Sequence, residues 1–168
     1  MDEKKVEIER KYLIKYPQKL LDSVAEEDIS EISQTYLLSE AGVTSRVRMR
    51  SFCGSVQYTK TEKRRIDDVS CFEDEKEISP DQYLNELKYA DPKRNTVEKR
   101  RCILRHDGHI FEIDVYPFWK DRAIMEIELS SDDEGYDIPS EIEIIREVTS
   151  DKRYKNANLA KEIPFDEI

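Results

Sequence analysis

Val6-Glu7-Ile8-Glu9-Arg10-Lys11-Tyr12-Leu13-Ile14 is the stretch whose reading decides the fold. Side chains along a β-strand alternate between two faces. Glu7, Glu9 and Lys11 therefore share one face, and Val6, Ile8, Tyr12 and Ile14 share the other, with Arg10 the exception. Carboxylates two positions apart on a strand have Cα atoms about 6–7 Å apart, so their side chains can converge on one hard cation. A lysine on the same face reaches an anion held by that cation. The competing reading, an amphipathic strand with a solvated face, weakens because the layout recurs along the chain.

Arg46, Arg48 and Arg50 fall on one face of a later strand, and Lys60 lies on the next one. Lys99 and Arg101 share a face in Val97-Glu98-Lys99-Arg100-Arg101. Like charges placed this way repel one another. They make sense together around a polyanion, because the guanidinium fork matches phosphate oxygens. The acidic strands are equally ordered: Glu73, Glu75 and Glu77 share a face, as do Glu112 with Asp114 and Glu126 with Glu128. On a solvated face the two signs are normally interspersed. The segregation predicts a divalent-cation site beside a phosphate clamp, since Mg²⁺ and Mn²⁺ take oxygen ligands and bind phosphates alongside one or two carboxylates.

Composition sets the bounds. The chain has 168 residues, 39% of them charged, and a net charge of −10. That length suits a single domain over 1–168 with one core. The acidity argues against nucleic acid as a partner. No apolar run is long enough for a membrane span, and Met1-Asp2-Glu3-Lys4-Lys5 leads into the first strand without room for a signal peptide. A cytoplasmic protein, monomer or homodimer, with a small-molecule partner is expected. Cys53, Cys71 and Cys102 lack metal-ligand spacing and read as reduced structural thiols. His106 and His109 flank Asp107-Gly108, a hairpin dipeptide, and read as turn residues.

The pattern predicts strands over 6–14, 29–38, 44–51, 55–61, 69–78, 96–105, 109–116, 123–130 and 142–149. Helices are expected over 18–27, from Ser79-Pro80 to Tyr89, and over 154–163. Eight or nine strands with few, short helices suggest an α+β fold, an antiparallel sheet or β-barrel; if the charged face lines the inside, the helices are left to cover the apolar face.

The ordered set of motifs resembles the CYTH superfamily, the triphosphate tunnel metalloenzymes. Glu-x-Glu-x-Lys is matched by Glu7, Glu9 and Lys11; the paired basic motif by Arg46 and Arg48; a Thr-x-Lys-like strand by Tyr58-Thr59-Lys60. Glu75 and Glu77 are the best match to a further Glu-x-Glu, with Glu73 in the same alternation. Lys99 with Arg101, Glu112 to Val115, Glu126 to Leu129 and the stretch 147–156 complete the order. The resemblance implies an eight-stranded antiparallel β-barrel, a tunnel with a charged interior and a few covering helices, that binds triphosphate with Mg²⁺ or Mn²⁺. By position, Lys11, Arg46, Arg48, Lys60, Lys99 and Arg101 are expected to hold triphosphate. Glu7, Glu9, Glu126 and Glu128 are expected to hold a first metal. Glu75, Glu77 and Asp114 are expected at a second metal or the attacking water. Tyr36 is expected to bond Lys99 or a phosphate, or to form tunnel wall. Trp119 is read as loop packing, with stacking on an organic group at the mouth as the alternative. The implied activity is a metal-dependent triphosphatase, with inorganic triphosphate as substrate. The alternatives are a class IV adenylyl cyclase, a thiamine or nucleoside triphosphatase, and a non-enzymatic polyphosphate-binding module.

Overall fold

Charge alternation along β1 (Lys5–Lys15) becomes the distinction between the inside and the outside of a closed barrel. The computed structural model describes residues 5–168. The other strands are β2 (Ile29–Leu37), β3 (Val43–Phe52), β4 (Ser55–Arg65), β5 (Ser70–Glu77), β6 (Val97–His106), β7 (His109–Val115), β8 (Arg122–Leu129) and β9 (Ile144–Glu147). Their order is β5-β4-β3-β2-β6-β7-β8-β1-β9, and β5 also pairs with β1. That last pairing closes eight antiparallel strands into a barrel and leaves β9 as an extra strand. One edge of β1 is shared: Lys5 to Ile8 pair with β5, and Tyr12 to Ile14 pair with β9.

Two hairpins turn on two-residue loops, Cys53-Gly54 and Asp107-Gly108, and all four residues have positive φ. Such a turn matches the right-handed twist of the flanking strands. The β3–β4 hairpin is longer than expected: β4 runs to Arg65 rather than ending at Thr61, because β5 stays paired with it to the Arg65↔Cys71 register.

The outer face is apolar and is covered in two places. Ile14, Phe111, Ile113, Met125 and Ile127 are fully buried under Leu20, Leu21, Val24 and the segment carrying Tyr136, Ile138 and Ile142. Leu37 and Val47 are covered by Tyr83 and Leu87. Tyr83 belongs to α2 (Pro80–Glu86), which opens with a capping box between Ser79 and Gln82. A cap of this kind is worth about 1 kcal/mol. Arg10 breaks the apolar pattern of β1 because it reaches out of the barrel to Asp132 and Glu147.

The inner face changes character along the axis. Leu13, Val97 and Ile124 continue the faces of Lys11, Lys99 and Glu126, and with Tyr116, Trp119, Val148, Tyr154 and Leu159 they plug one end. Emptying one such position typically costs about 2–5 kcal/mol.

Two expected helices are much shorter. The span 18–27 reduces to α1 (Gln18–Leu21) and a single 3₁₀ turn, Glu26–Asp28. The Ser23 hydroxyl bonds back to the carbonyls of Lys19 and Leu20, which competes with helix continuation. The span 154–163 reduces to α3 (Asn156–Leu159). Beyond it the chain is drawn across the plugged end, where Trp119 Nε1 donates to the Pro164 carbonyl and Arg153 and Arg146 grip Asp166. Thus α3 plugs the lumen rather than covering the outer sheet. The expected strand 142–149 shortens to the four residues of β9. Among the described residues no helix is long and apolar enough to cross a membrane.

Candidate active site

The strand register decides which charged residues meet. Lys11 pairs with Glu126, Glu112 with Glu126, and Arg101 with Asp114. Tyr36 pairs with Arg46, Arg46 with Thr61, and Thr61 with Glu75. Directly opposed residues share a face, so all of these look into the lumen. They surround a cavity of about 780 Å³ lined by Glu7, Glu9, Lys11, Arg46, Arg48 and Arg101, with Glu112, Glu126 and Glu128. The charged face of each strand is therefore the interior of the barrel and not a solvated surface.

Lys60 does not enter the site. It pairs with Val47, which is buried on the outer face, and its ammonium bonds Glu86 of α2 at 3.0 Å. The lumen position belongs to Lys63, two residues beyond Thr61 on the same face. Lys63 Nζ lies 2.6 Å from Glu7 and 3.0 Å from Glu73. The signal was in the sequence: Thr61-Glu62-Lys63 is a literal Thr-x-Lys, and the register of the arginines selects it over Tyr58-Thr59-Lys60.

The β5 pair needs a matching correction. Glu73 and Glu75 line the cavity, whereas Glu77 sits at the strand end against Gln57. Glu75 accepts from the Thr61 hydroxyl at 2.7 Å.

Lys99 and Asp114 lie behind the cavity wall, each with a side chain that is 0% exposed. Asp114 takes Lys99 on one oxygen at 2.7 Å, and Arg101 on both, at 2.7 and 2.8 Å. Burial opposes its ionisation, yet Arg101 and Lys99 hold the Asp114 carboxyl well below the usual range. With both oxygens so occupied, Asp114 is a poor metal ligand and positions Arg101 instead. Burial, reinforced by Arg101 and Arg48, lowers the Lys99 ammonium to about 7. Tyr36 is tunnel wall: its hydroxyl accepts from Gln34 rather than meeting Lys99. Trp119 is packed among Tyr116, Phe118 and Tyr154, so it does not stand at a mouth.

Both signs of charge are left uncompensated inside. Arg48 donates to the neutral Gln34, and the buried Nε of Arg46 has no hydrogen-bond partner. Burial, Arg46 and Arg101 together lower the Arg48 guanidinium to about 10. On the other wall, burial and the charge of Glu126 raise the Glu9 carboxyl to about 7. Burial also pushes Glu126 upward, but Lys11, at 3.2 Å, with Arg101 and Lys99 brings it down to about 2. Glu128 sits at the rim, bonded to Lys5.

The acidic wall fits a divalent ion in one particular way. Among the described residues no three carboxylate, thiol or imidazole side chains are gathered into a complete cage. Mg²⁺ does not require one, because it keeps waters and binds through one or two carboxylates plus substrate phosphates. Glu9, half-buried beside another carboxylate, is the group that such an ion would relieve.

No family model matches the chain, and neither does any curated protein. Solved structures do. The inorganic triphosphatase NE1496 is 28% identical over 94% of this chain and 96% of that one, with a TM-score of 0.55. The putative adenylyl cyclase HpAC1 from Hippeastrum, described as having a dominant triphosphatase activity, is 16% identical over 74% and 80%, with a TM-score of 0.55. A putative adenylate cyclase from Bacillus halodurans is 17% identical over 74% and 81%, with a TM-score of 0.53. The last two show the fold alone. The closed eight-stranded barrel and these likenesses are consistent with the CYTH superfamily.

Proposed function

We propose that this chain is a metal-dependent hydrolase of inorganic triphosphate. The observation that carries the reading is the pair of uncompensated walls. Among the described residues Arg46 and Arg48 on one wall and Glu9 on the other make no ion pair, and a metal–triphosphate complex brings charge of both signs at once. The likeness to NE1496, itself an inorganic triphosphatase, supports the same reading.

Lys11, Arg46, Arg48, Lys63 and Arg101 bind the phosphate oxygens. Arginines do so bidentately and the lysines as point charges. Gln34 orients Arg48 and Tyr36 together, accepting from the first and donating to the second. Asp114 fixes the fork of Arg101. Glu9 and Glu126, with Glu7 and Glu128 beside them, would hold Mg²⁺ or Mn²⁺. Such an ion, when bound, neutralises phosphate charge. Glu75 orients the water and accepts its proton as the water oxygen bonds phosphorus. The bridging P–O bond breaks, releasing diphosphate and orthophosphate. Phosphoryl transfer needs mainly positioning and charge stabilisation, which this wall of fixed cations provides.

The lining favours an inorganic substrate over a nucleotide. Tyr36 is the one aromatic side chain of the described cavity wall, and the Arg94 guanidinium already lies 5.5 Å from its ring centre. No other ring on that wall offers a stacking surface to a base or a thiazolium. Incubation with inorganic triphosphate, ATP and thiamine triphosphate, each with Mg²⁺ or Mn²⁺, tests the proposal. Orthophosphate release fastest from inorganic triphosphate is expected. Cyclic AMP formation outpacing hydrolysis would overturn it in favour of the cyclase.

A further inference from the structure

A cation on the cavity wall lies outside every strand. Arg94 sits in the segment between α2 and β6 and lines the same cavity as Arg46. Its side chain is 17% exposed, and among the described residues its one ion pair is a loose contact with Asp91 at 3.7 Å. Among the described residues its buried Nε has no hydrogen-bond partner, and neither does Arg46 Nε. Tyr36 lies directly across from Arg46 in the sheet and carries Arg94 over its ring. The two guanidinium groups therefore flank one tyrosine and both have donors unspent. The loop that carries Arg94 is anchored, since Asn95 N–H donates to the Ala160 carbonyl at 2.7 Å, just past α3.

We propose that Arg94 is a substrate-binding residue that grips an end phosphate of inorganic triphosphate and discriminates against triphosphates esterified at that end. This rests on the triphosphatase reading above and assigns the selectivity of that site. A free end phosphate carries up to two charges and three terminal oxygens, enough for a bidentate guanidinium contact. An esterified phosphate carries one charge and brings an organic group into the place that Arg94 occupies over Tyr36. A guanidinium already held over a ring by an anchored loop is preorganised, so little side-chain freedom is lost on binding.

The test is metal-free calorimetric binding of inorganic triphosphate and of ATP to the full chain, with steady-state kinetics on both in the presence of metal. Arg94→Ala is expected to weaken inorganic triphosphate binding about tenfold or more, the scale of one charge-assisted contact. ATP binding should change less than about threefold on the same scale, so the preference between the two collapses. In kinetics the loss should fall on KM more than on kcat. Arg94→Lys, which keeps the charge but not the fork, should recover part of the preference, and it remains informative should the alanine variant fold poorly. Equal losses for both ligands, or none, would overturn the proposal while leaving the triphosphatase reading intact. A wild-type chain that binds triphosphate without hydrolysing it would instead overturn that reading, with the binding ratio still deciding the role of Arg94.

Discussion

Lys99 donates to Asp114 across 2.7 Å, and both side chains are sealed from solvent. Arg101 shares the same carboxylate, so one buried anion serves two buried cations. Removing the anion leaves Lys99 without its counter-ion, while Arg101 keeps Glu112. Breaking a buried pair from one side costs about 3–5 kcal/mol. Asp114→Ala is therefore expected to lower the unfolding free energy in urea by that order, through a lower midpoint at an unchanged m-value. A loss below about 1 kcal/mol would mean that Lys99, already lowered to about 7, sheds its proton and escapes the penalty.

Glu9 gives a pH signature. Burial and Glu126 raise its carboxyl to about 7, whereas an unfolded glutamate titrates near about 4.3. Between those values the folded chain holds a proton that the unfolded chain has lost. The stability from protonated Glu9 is full below the window and is lost as pH rises through it. Glu9→Gln is neutral at every pH. Without metal the variant should therefore melt above wild type at pH 8, by up to about 3 kcal/mol of stability, and the two should converge near pH 4–5. A constant offset across the range would show that Glu9 is not the titrating group.

How far the sequence discloses the molecule follows from which constraints are local. Strand alternation is local, and it places Glu9, Lys11, Arg48, Arg101 and Glu126 on the lumen side without reference to any partner. Closure needed the whole ordered set, because a single amphipathic strand reads equally well with its charges in water. The errors arose where register decides. Lys60 and Lys63 lie on opposite faces of one strand, and only pairing with β3 shows which of them joins Arg46. Glu73, Glu75 and Glu77 share a face, and position along the strand separates them: Glu73 and Glu75 reach the cavity, and Glu77 lies at the strand end. Arg94 was invisible because it lies on a loop with no period to read. The short α1 and α3 were missed because Ser23 and the tail contacts of Trp119 and Arg153 act across the chain or through side chains that propensity does not weigh.

Metal removal addresses the acidic wall. Glu9 and Glu126 repel unless a cation or a proton intervenes, and Lys11 serves Glu126 rather than Glu9 within ion-pair distance. Excess chelator is expected to abolish triphosphate hydrolysis, and Mg²⁺ or Mn²⁺ to restore it. Glu9→Gln should remain inactive after metal is added back. Turnover that continues unchanged in chelator would show that the acidic wall does not serve a metal.

The last prediction separates the two lysines of β4. Lys63 stands in the lumen between Glu7 and Glu73, where burial lowers its ammonium but Arg46's repulsion is outweighed by Glu9, Glu7 and Glu73, leaving it well above the ordinary value. It is thus charged at any working pH and faces the cavity. Lys63→Ala should weaken triphosphate binding by about 1.5–3 kcal/mol, the scale of a lost charge-assisted contact. Lys60 lies outside, bonded to Glu86, with side chains 21% and 26% exposed. Lys60→Ala should leave triphosphate binding and turnover near wild type and cost under about 1 kcal/mol of stability, through a looser α2. Parallel calorimetric titrations of both variants decide the matter. A binding loss confined to Lys60→Ala would place the opposite face of β4 in the lumen and reverse the register on which the whole site depends.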